Sequence, residues 1–438
     1  MRMRLVLIAA FAAAPSMARA QGPAAAPATL TLAGAVRLGQ ERAIGAALAR
    51  LGLRSSELRA SEQTGHLLPT LDANGTYSRQ TNNLATFGLS IPGFPVVTPD
   101  FNLYTLEARA SQVLFDGGLF NRIAAAHSSA GAARYDARAA ADQAGAIAGL
   151  AYLRVLSAQE TVAAREADSA VAADLLHQAQ QLRAAGVSAA IDVTRAEVNA
   201  AAVRTQLLLA RTGLERARID LAQALDLPTD MTLVLADSLG GGALTVPVTP
   251  DSAVAYALAH RPEAAAERER SRVAELSRRA VLWENLPTLG LFGSYNYAGT
   301  RTDQMNGTYQ VGIRASVPIF DGLRRQRRYA ESGDQVDAQA LREHALLQQV
   351  EVDARTAVLD LQSARGQVAL AGERLDLAEQ ELAQSDERFK AGVAGSVETS
   401  NSQAGLIQAR DAYIQAKVNF ATARLRTYRA LGALDQMP

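Results

Sequence analysis

Two carboxylates stand out by placement. Asp192 and Glu398 each follow an Ala-Gly-Val turn at the same distance, Ala185-Gly186-Val187 before one and Ala391-Gly392-Val393 before the other. Each falls where a new helical pattern begins, so the helix macrodipole would stabilise its charge. A carboxylate so placed that also faced an aqueous passage would favour cations there. Arg183, Arg195 and Arg388 lie near enough along the chain to bridge these acids and hold the turns together. Gly186 and Gly392 suit the left-handed conformation that ends one helix and starts a reversal.

Catalytic chemistry has no comparable constellation. The histidines (His66, His127, His177, His260, His344) are scattered, with no His-x-x-x-His pair and no serine elbow, and the chain has no cysteine for a nucleophile, disulfide, thiolate metal site or lipid anchor. Gly240-Gly241-Gly242 lacks the Lys-Ser/Thr of a phosphate loop and reads as linker. Asn74-Gly75-Thr76 and Asn306-Gly307-Thr308 fit the glycosylation pattern only by coincidence. With 44 basic and 44 acidic residues there is no electrostatic case for nucleic acid. The expectation is a protein that is not an enzyme and holds no cofactor or metal.

The elements that position the acids are long helices. From residue 347 to 389 a strict seven-residue seam runs through Leu347, Val350, Ala354, Ala357, Leu361, Ala364, Val368, Ala371, Leu375, Ala378, Leu382, Ser385 and Phe389. One of its rows is almost all small, so a partner helix can approach closely, and the period implies left-handed supercoiling. A second seam runs from Ala141 through Ala144, Ala148, Ala151, Val155, Ala158, Val162, Ser169, Ala172 and Leu176 to Ala179, interrupted by Arg165.

The chain also repeats itself. Leu68-Pro69-Thr70-Leu71 returns as Leu286-Pro287-Thr288-Leu289, Phe115-Asp116-Gly117 as Phe320-Asp321-Gly322, and the Ala-Gly-Val turn once more, in the same order. The reading is a first repeat over 21–236 (strands about 69–79 and 101–115, helices about 118–184 and 190–227) and a linker over 237–251. A second repeat follows over 252–438 (strands about 287–299 and 308–320, helices about 323–390 and 397–431). The helix after Thr31 should break near Gly45 or Gly52, and Asn306-Gly307 suggests a hairpin turn. Residues 1–20, with Arg2 and Arg4 before an apolar run and Ala18-Arg19-Ala20 at its end, read as an export signal. Its removal leaves a net charge of about −3.

The four strand patterns alternate apolar and polar residues. Glu107, Arg109 and Arg314 fall on the polar face and tyrosines near the ends of the apolar one, as in membrane barrels. Four strands cannot close a barrel, and exposed edges in lipid are prohibitive, so several chains would have to contribute. The competing reading is a soluble periplasmic coiled-coil adaptor or scaffold, its strands an ordinary packed sheet.

These features together resemble the TolC family of outer-membrane efflux proteins. The resemblance rests on the duplicated strand-pair and long-helix plan and on the Phe-Asp-Gly strand exits at Phe115 and Phe320. Arg261-Pro262-Glu263 and the turns Ala185-Gly186-Val187-Ser188 and Ala391-Gly392-Val393-Ala394 add to it. It implies a mainly α fold with a small β part: a homotrimer with one twelve-stranded barrel in the outer-membrane lipid, continuous with a periplasmic α-helical tunnel. It implies docking on a periplasmic adaptor of an inner-membrane pump through Gly186, Val187, Ser188, Gly392, Val393 and Ala394, and rings of three carboxylates from Asp192 and Glu398 at the aperture. The sequence departs from the family where Asn401 replaces a second acid and where Ala394 lacks the hydroxyl that Ser188 has.

Overall fold

The computed structural model describes residues 29–88, 92–93, 95–231, 233–240, 245–246, 249–391, 393 and 395–437. The export signal, Gly241, Gly242, Gly392 and Ala394 lie outside the described residues. In chain order the elements are β1 (Thr29–Leu30), α1 (Leu32–Arg42), α2 (Ile44–Gly65), β2 (Thr70–Gln80), β3 (Phe101–Phe115), α3 (Gly117–Ala184) and α4 (Ala190–Ala224). They continue as β4 (Val234–Leu235), α5 (Pro250–His260), α6 (Pro262–Trp283), β5 (Thr288–Gly299), β6 (Asn306–Ser316), α7 (Arg324–Lys390) and α8 (Ser396–Leu431). The fold is mainly helical with little strand.

β2, β3, β5 and β6 form one antiparallel sheet in that order. Its register aligns the apolar rows: Tyr77 opposite Tyr104, Leu106 opposite Tyr297, Tyr295 opposite Tyr309, and Leu291 opposite Ile313. Because side chains alternate, Asp72, Glu107, Arg109, Asn296, Gln310 and Arg314 share the other face. The sheet is open, with β2 and β6 as unpaired edges. Its apolar face is bare in the isolated chain, with Leu71 78%, Tyr309 81%, Val311 70% and Ile313 70% exposed.

The hairpin expectation is corrected by the register. Asn306 and Gly307 are already in β6, paired with Ala298 and Tyr297, and the turn precedes them at residues 300–305. Gly307 is glycine because the Tyr295 ring lies over it: a Cβ there would fall 2.2 Å from the Tyr295 hydroxyl.

The helix after Thr31 breaks at Ala43, which has ψ 138°, and neither Gly45 nor Gly52 is the break. Both glycines sit on open helix surface. The tight glycines are elsewhere: a Cβ on Gly39 would meet that of Ala148 at 2.6 Å, and one on Gly145 would lie 2.9 Å from the Val36 carbonyl, so α1 and α3 cross almost backbone to backbone.

α3 and α7, at 68 and 67 residues, are each about 100 Å long at 1.5 Å per residue. All thirteen seam positions of α7, Leu347 to Phe389, are buried or half-buried, and so are those of α3, Arg165 included. Each long helix is flanked by shorter partners, α4 and α8 toward the Ala-Gly-Val turns and α2 and α6 toward the sheet. The bulky core lies where these partners end. There the ring of Tyr152, wholly buried, packs with Val36, Leu221, Leu225, Val350, Leu425, Tyr428 and Leu431. The Tyr152 hydroxyl lies within hydrogen-bond distance of two acceptors, the Leu30 carbonyl (2.9 Å) and the Asp237 carboxylate (3.0 Å), and the same carboxylate accepts from the Leu32 N–H (2.6 Å). This fastens the short parallel pair of β1 and β4 onto the belt.

Replacing Gly39 by valine should force α1 off α3 and destabilise the protein by about 1–3 kcal/mol, read as a lower midpoint in thermal or denaturant unfolding. The same change at Gly45 should leave the midpoint nearly unmoved.

Candidate functional site at the helix tips

The two turns that end α3 and α7 carry the residues singled out by sequence. After Ala185, Gly186 adopts φ +76°, and the N–H groups of Val187 and Ser188 return to the Leu182 carbonyl at 2.9 and 3.3 Å. This is a Schellman-like closure that satisfies the last carbonyls of α3. It leaves Val187 62% exposed at the end of the molecule. Ser188 is half-buried, and its hydroxyl has no hydrogen-bond partner. At the second turn Val393 is 71% exposed and its N–H donates to the Arg388 carbonyl at 3.0 Å. Val187 and Val393 are thus both exposed apolar side chains, each on a residue whose N–H returns to the preceding helix.

The two acids are held differently. Asp192, in the first turn of α4, accepts from the Ala189 N–H at 3.2 Å and from the Ser396 hydroxyl at 2.5 Å, which ties the start of α4 to the start of α8. Arg195 stands 3.8 Å away, and the Asp192 side chain is 19% exposed. Glu398, in the first turn of α8, pairs with Arg388 of α7 at 2.9 Å, both side chains about half exposed. Asn401 is exposed and makes no side-chain hydrogen bond among the described residues. Of the three arginines expected to bridge, Arg195 and Arg388 do so, while Arg183 is exposed and forms no ion pair among the described residues.

Sequence reasoning missed Ser396 as the partner of Asp192 and noted Arg165 only as a defect in a seam. The structure gives that defect a cause. Arg165, 8% exposed, donates to Asp168 at 2.7 Å and also to Asp411 of α8. Arg410 reaches Asp168 from the other side at 2.6 Å. Burial opposes the Arg165 charge, but its bonds to Asp411 and Asp168 outweigh that and raise its pKa above the ordinary value. Gln403, itself buried, accepts from Asn199 of α4 at 2.6 Å. A polar layer thus joins α3, α4 and α8 on the tip side of the belt, where every other seam contact is apolar or small.

Among the described residues no cluster of His, Asp or Glu could hold a metal, and no helix is long and apolar enough to cross a membrane. The arrangement offers surfaces and charges along a helical wall, with a two-faced sheet at one end.

The fold matches that of solved outer-membrane channels. The sequence matches the family described as "Outer membrane efflux protein" over residues 37–226 and 253–433, so the chain belongs to that family. It works as an exit duct in efflux and not as an enzyme, and its place is the outer membrane; the soluble-scaffold alternative is thereby set aside. Similar curated proteins are the outer membrane efflux protein BepC of Brucella suis biovar 1, 26% identical over 340 residues (76% of this chain, 73% of that protein). Another is the pyoverdine export outer membrane protein OpmQ of Pseudomonas aeruginosa, 26% identical over 403 residues (89% and 82%). In fold the chain resembles the outer-membrane channel OprN, with a TM-score of 0.77 at 19% identity over 92% of this chain and 90% of that one. It likewise resembles the MtrE channel of Neisseria gonorrhoeae, with a TM-score of 0.77 at 19% identity, covering 93% and 90%.

Arg165→Ala should lower stability by about 3–5 kcal/mol, because it strips a charge-bearing partner from buried Asp168. Arg211→Ala, which removes an ion pair exposed on both sides, should cost about 1 kcal/mol or less. Melting of the two variants side by side checks the contrast.

Proposed function

We propose that three copies of this chain assemble into one passive duct, a twelve-stranded barrel in the outer membrane continuous with a periplasmic helical tunnel. The observation that carries this is the open four-stranded sheet, apolar on one face and polar on the other, with unpaired edges on β2 and β6. Backbone groups on such edges cannot stay unsatisfied in lipid, and pairing β6 of one chain with β2 of the next removes them. Strands of about eleven residues, tilted, span the apolar thickness of an outer membrane.

On this reading residues 1–20 direct export. The segments 21–236 and 252–438 are two structural repeats joined by the linker 237–251, and together they supply the wall. Energy comes from an inner-membrane pump reached through a periplasmic adaptor. The adaptor docks at the tip turns, on Gly186, Val187, Ser188, Gly392, Val393 and Ala394, for which the exposed Val187 and Val393 are apolar contacts. Asp192, Glu398 and Asn401 line the aperture, the two acids as rings of three carboxylates that favour cations, with Asn401 lessening the charge. The cargo is small toxic molecules, whether drugs, metals or other exported solutes, and the name of OpmQ is in keeping with the last of these.

Glu398→Gln should weaken block by multivalent cations in single-channel recordings of the purified protein in planar bilayers; unchanged block would remove Glu398 from the aperture. Gly392→Trp should abolish crosslinking of the tips to the adaptor while trimers persist on native gels. Retained crosslinking would place the docking surface elsewhere.

A further inference from the structure

We propose that the passage from β6 into α7 binds the phosphate headgroup of an anionic phospholipid, giving each chain a lipid contact at the inner rim of the sheet. This rests on the reading that the apolar sheet face lies in the membrane with the helices on the periplasmic side.

β6 ends at Ser316, and the next residues bare their apolar side chains: Val317 is 56%, Ile319 93% and Phe320 80% exposed. Arg324, Arg325, Arg327 and Arg328 follow at once, four arginines in five residues. Their partners divide them. Arg325 is buried and fully used, donating to Asp321 (2.9 Å), Asn285 (3.2 Å) and the carbonyls of Glu284 (3.4 Å) and Pro318 (3.2 Å), and so it shapes the turn. Arg328 pairs with Glu284 at 2.6 Å. Arg324 donates only to the Asp321 carbonyl, at 3.0 Å, and Arg327 has no side-chain partner among the described residues. Glu331, one turn further along α7, pairs with neither. Arg324, Arg327 and Arg328 share one helix face by their spacing and line an open hollow with Asp321 and Gly322.

The turn itself does not require this charge. β3 passes into α3 through the same Phe-Asp-Gly sequence with one arginine, Arg122, and that one is paired with Asp116 at 3.3 Å and Glu284 at 3.6 Å. The surplus guanidinium groups on the β6 side therefore have another use. Guanidinium forks fit phosphate oxygens bidentately, and exposed Ile319 and Phe320 offer acyl chains an apolar surface beside them. The level fits too. Trp283, 40% exposed and lying over Gly117, immediately precedes the Glu284 that Arg328 holds. Tyr329, with Arg278 5.0 Å above its ring, adjoins the same face. Trp, Tyr and Arg gathered where strands end are the composition of a lipid interface.

The test uses the full chain, purified in detergent and supplied with phosphatidylglycerol, phosphatidylcholine or inorganic phosphate. Native mass spectrometry should show phosphatidylglycerol retained and a higher melting temperature with that lipid alone. The double variant Arg324→Gln/Arg327→Gln should retain at least fivefold less and lose the thermal shift, while its oligomeric state and conductance stay those of the parent. Equal retention by the variant would overturn the proposal. So would equal stabilisation by phosphatidylcholine, or by inorganic phosphate, which would mark a free-anion site. Loss of the oligomer in the variant would reassign the cluster to a contact between chains. If instead the parent neither inserts in bilayers nor conducts, the membrane reading itself is what fails.

Discussion

The size of the side chains along one seam of α3 and α7 governs the rest of the helical wall. Ala and Ser at these positions let helix axes come close, and beside the α3 seam Gly39 and Gly145 leave no room for a Cβ between α1 and α3. Close packing gains dispersion contacts but buries little apolar area per residue. Stability must therefore be concentrated somewhere, and it is. The largest buried side chains, Tyr152, Tyr428 and the leucines around them, collect in one belt halfway along the long helices, where the shorter partners end. The wall is thin by composition and anchored at its middle.

At the sheet the governing term changes from packing to hydrogen bonding. Register aligns the apolar rows of four strands, so a single face of tyrosine, leucine, valine and isoleucine results, with Asp72, Glu107, Arg109 and Arg314 behind it and Arg79, paired with Asp100, at its rim. That separation is what lipid on one side and water on the other demand, and a soluble sheet would have covered the apolar face with its own helices. None of the helices does so: α2 and α6 continue the wall away from the sheet and leave Tyr309, Val311 and Ile313 bare.

What the sequence made legible was what is periodic. The seven-residue seam and the two-residue alternation repeat a physical requirement many times over, and the seam positions and sheet faces were readable for that reason. Features set by one contact were not. The break at Ala43 depends on where α1 has finished packing on α3, and no local residue announces it. Asn306-Gly307 carries the signature of a turn, but its glycine makes room for the ring of Tyr295, twelve residues upstream. Arg165 was visible as an anomaly in an apolar row, yet its partner Asp411 lies 246 residues away, and no pattern within either helix joins them. The same holds for Ser396, whose bond to Asp192 spans 204 residues.

The polar layer at Arg165 and the contacts at the tips differ in what it would take to break them. Asp168 has a side chain 1% exposed between two guanidinium groups, so separating α3 from α8 there would strand a buried charge, at several kcal/mol. Beyond it the bonds are of another kind. Arg388 and Glu398 are half in water, a class of pair worth about 0–1 kcal/mol, and the apolar cluster at the tip consists of Ala179, Val193 and Phe389 with a few half-buried neighbours. Val187, Ile191 and Val198 are exposed and hold nothing in the single chain. Stiffness is thus graded along the wall, high from the belt to the Arg165 layer and low from there to the turns. A partner that engages the turns works against these contacts and the Asp192–Ser396 bond, while the layer above keeps the long helices in register.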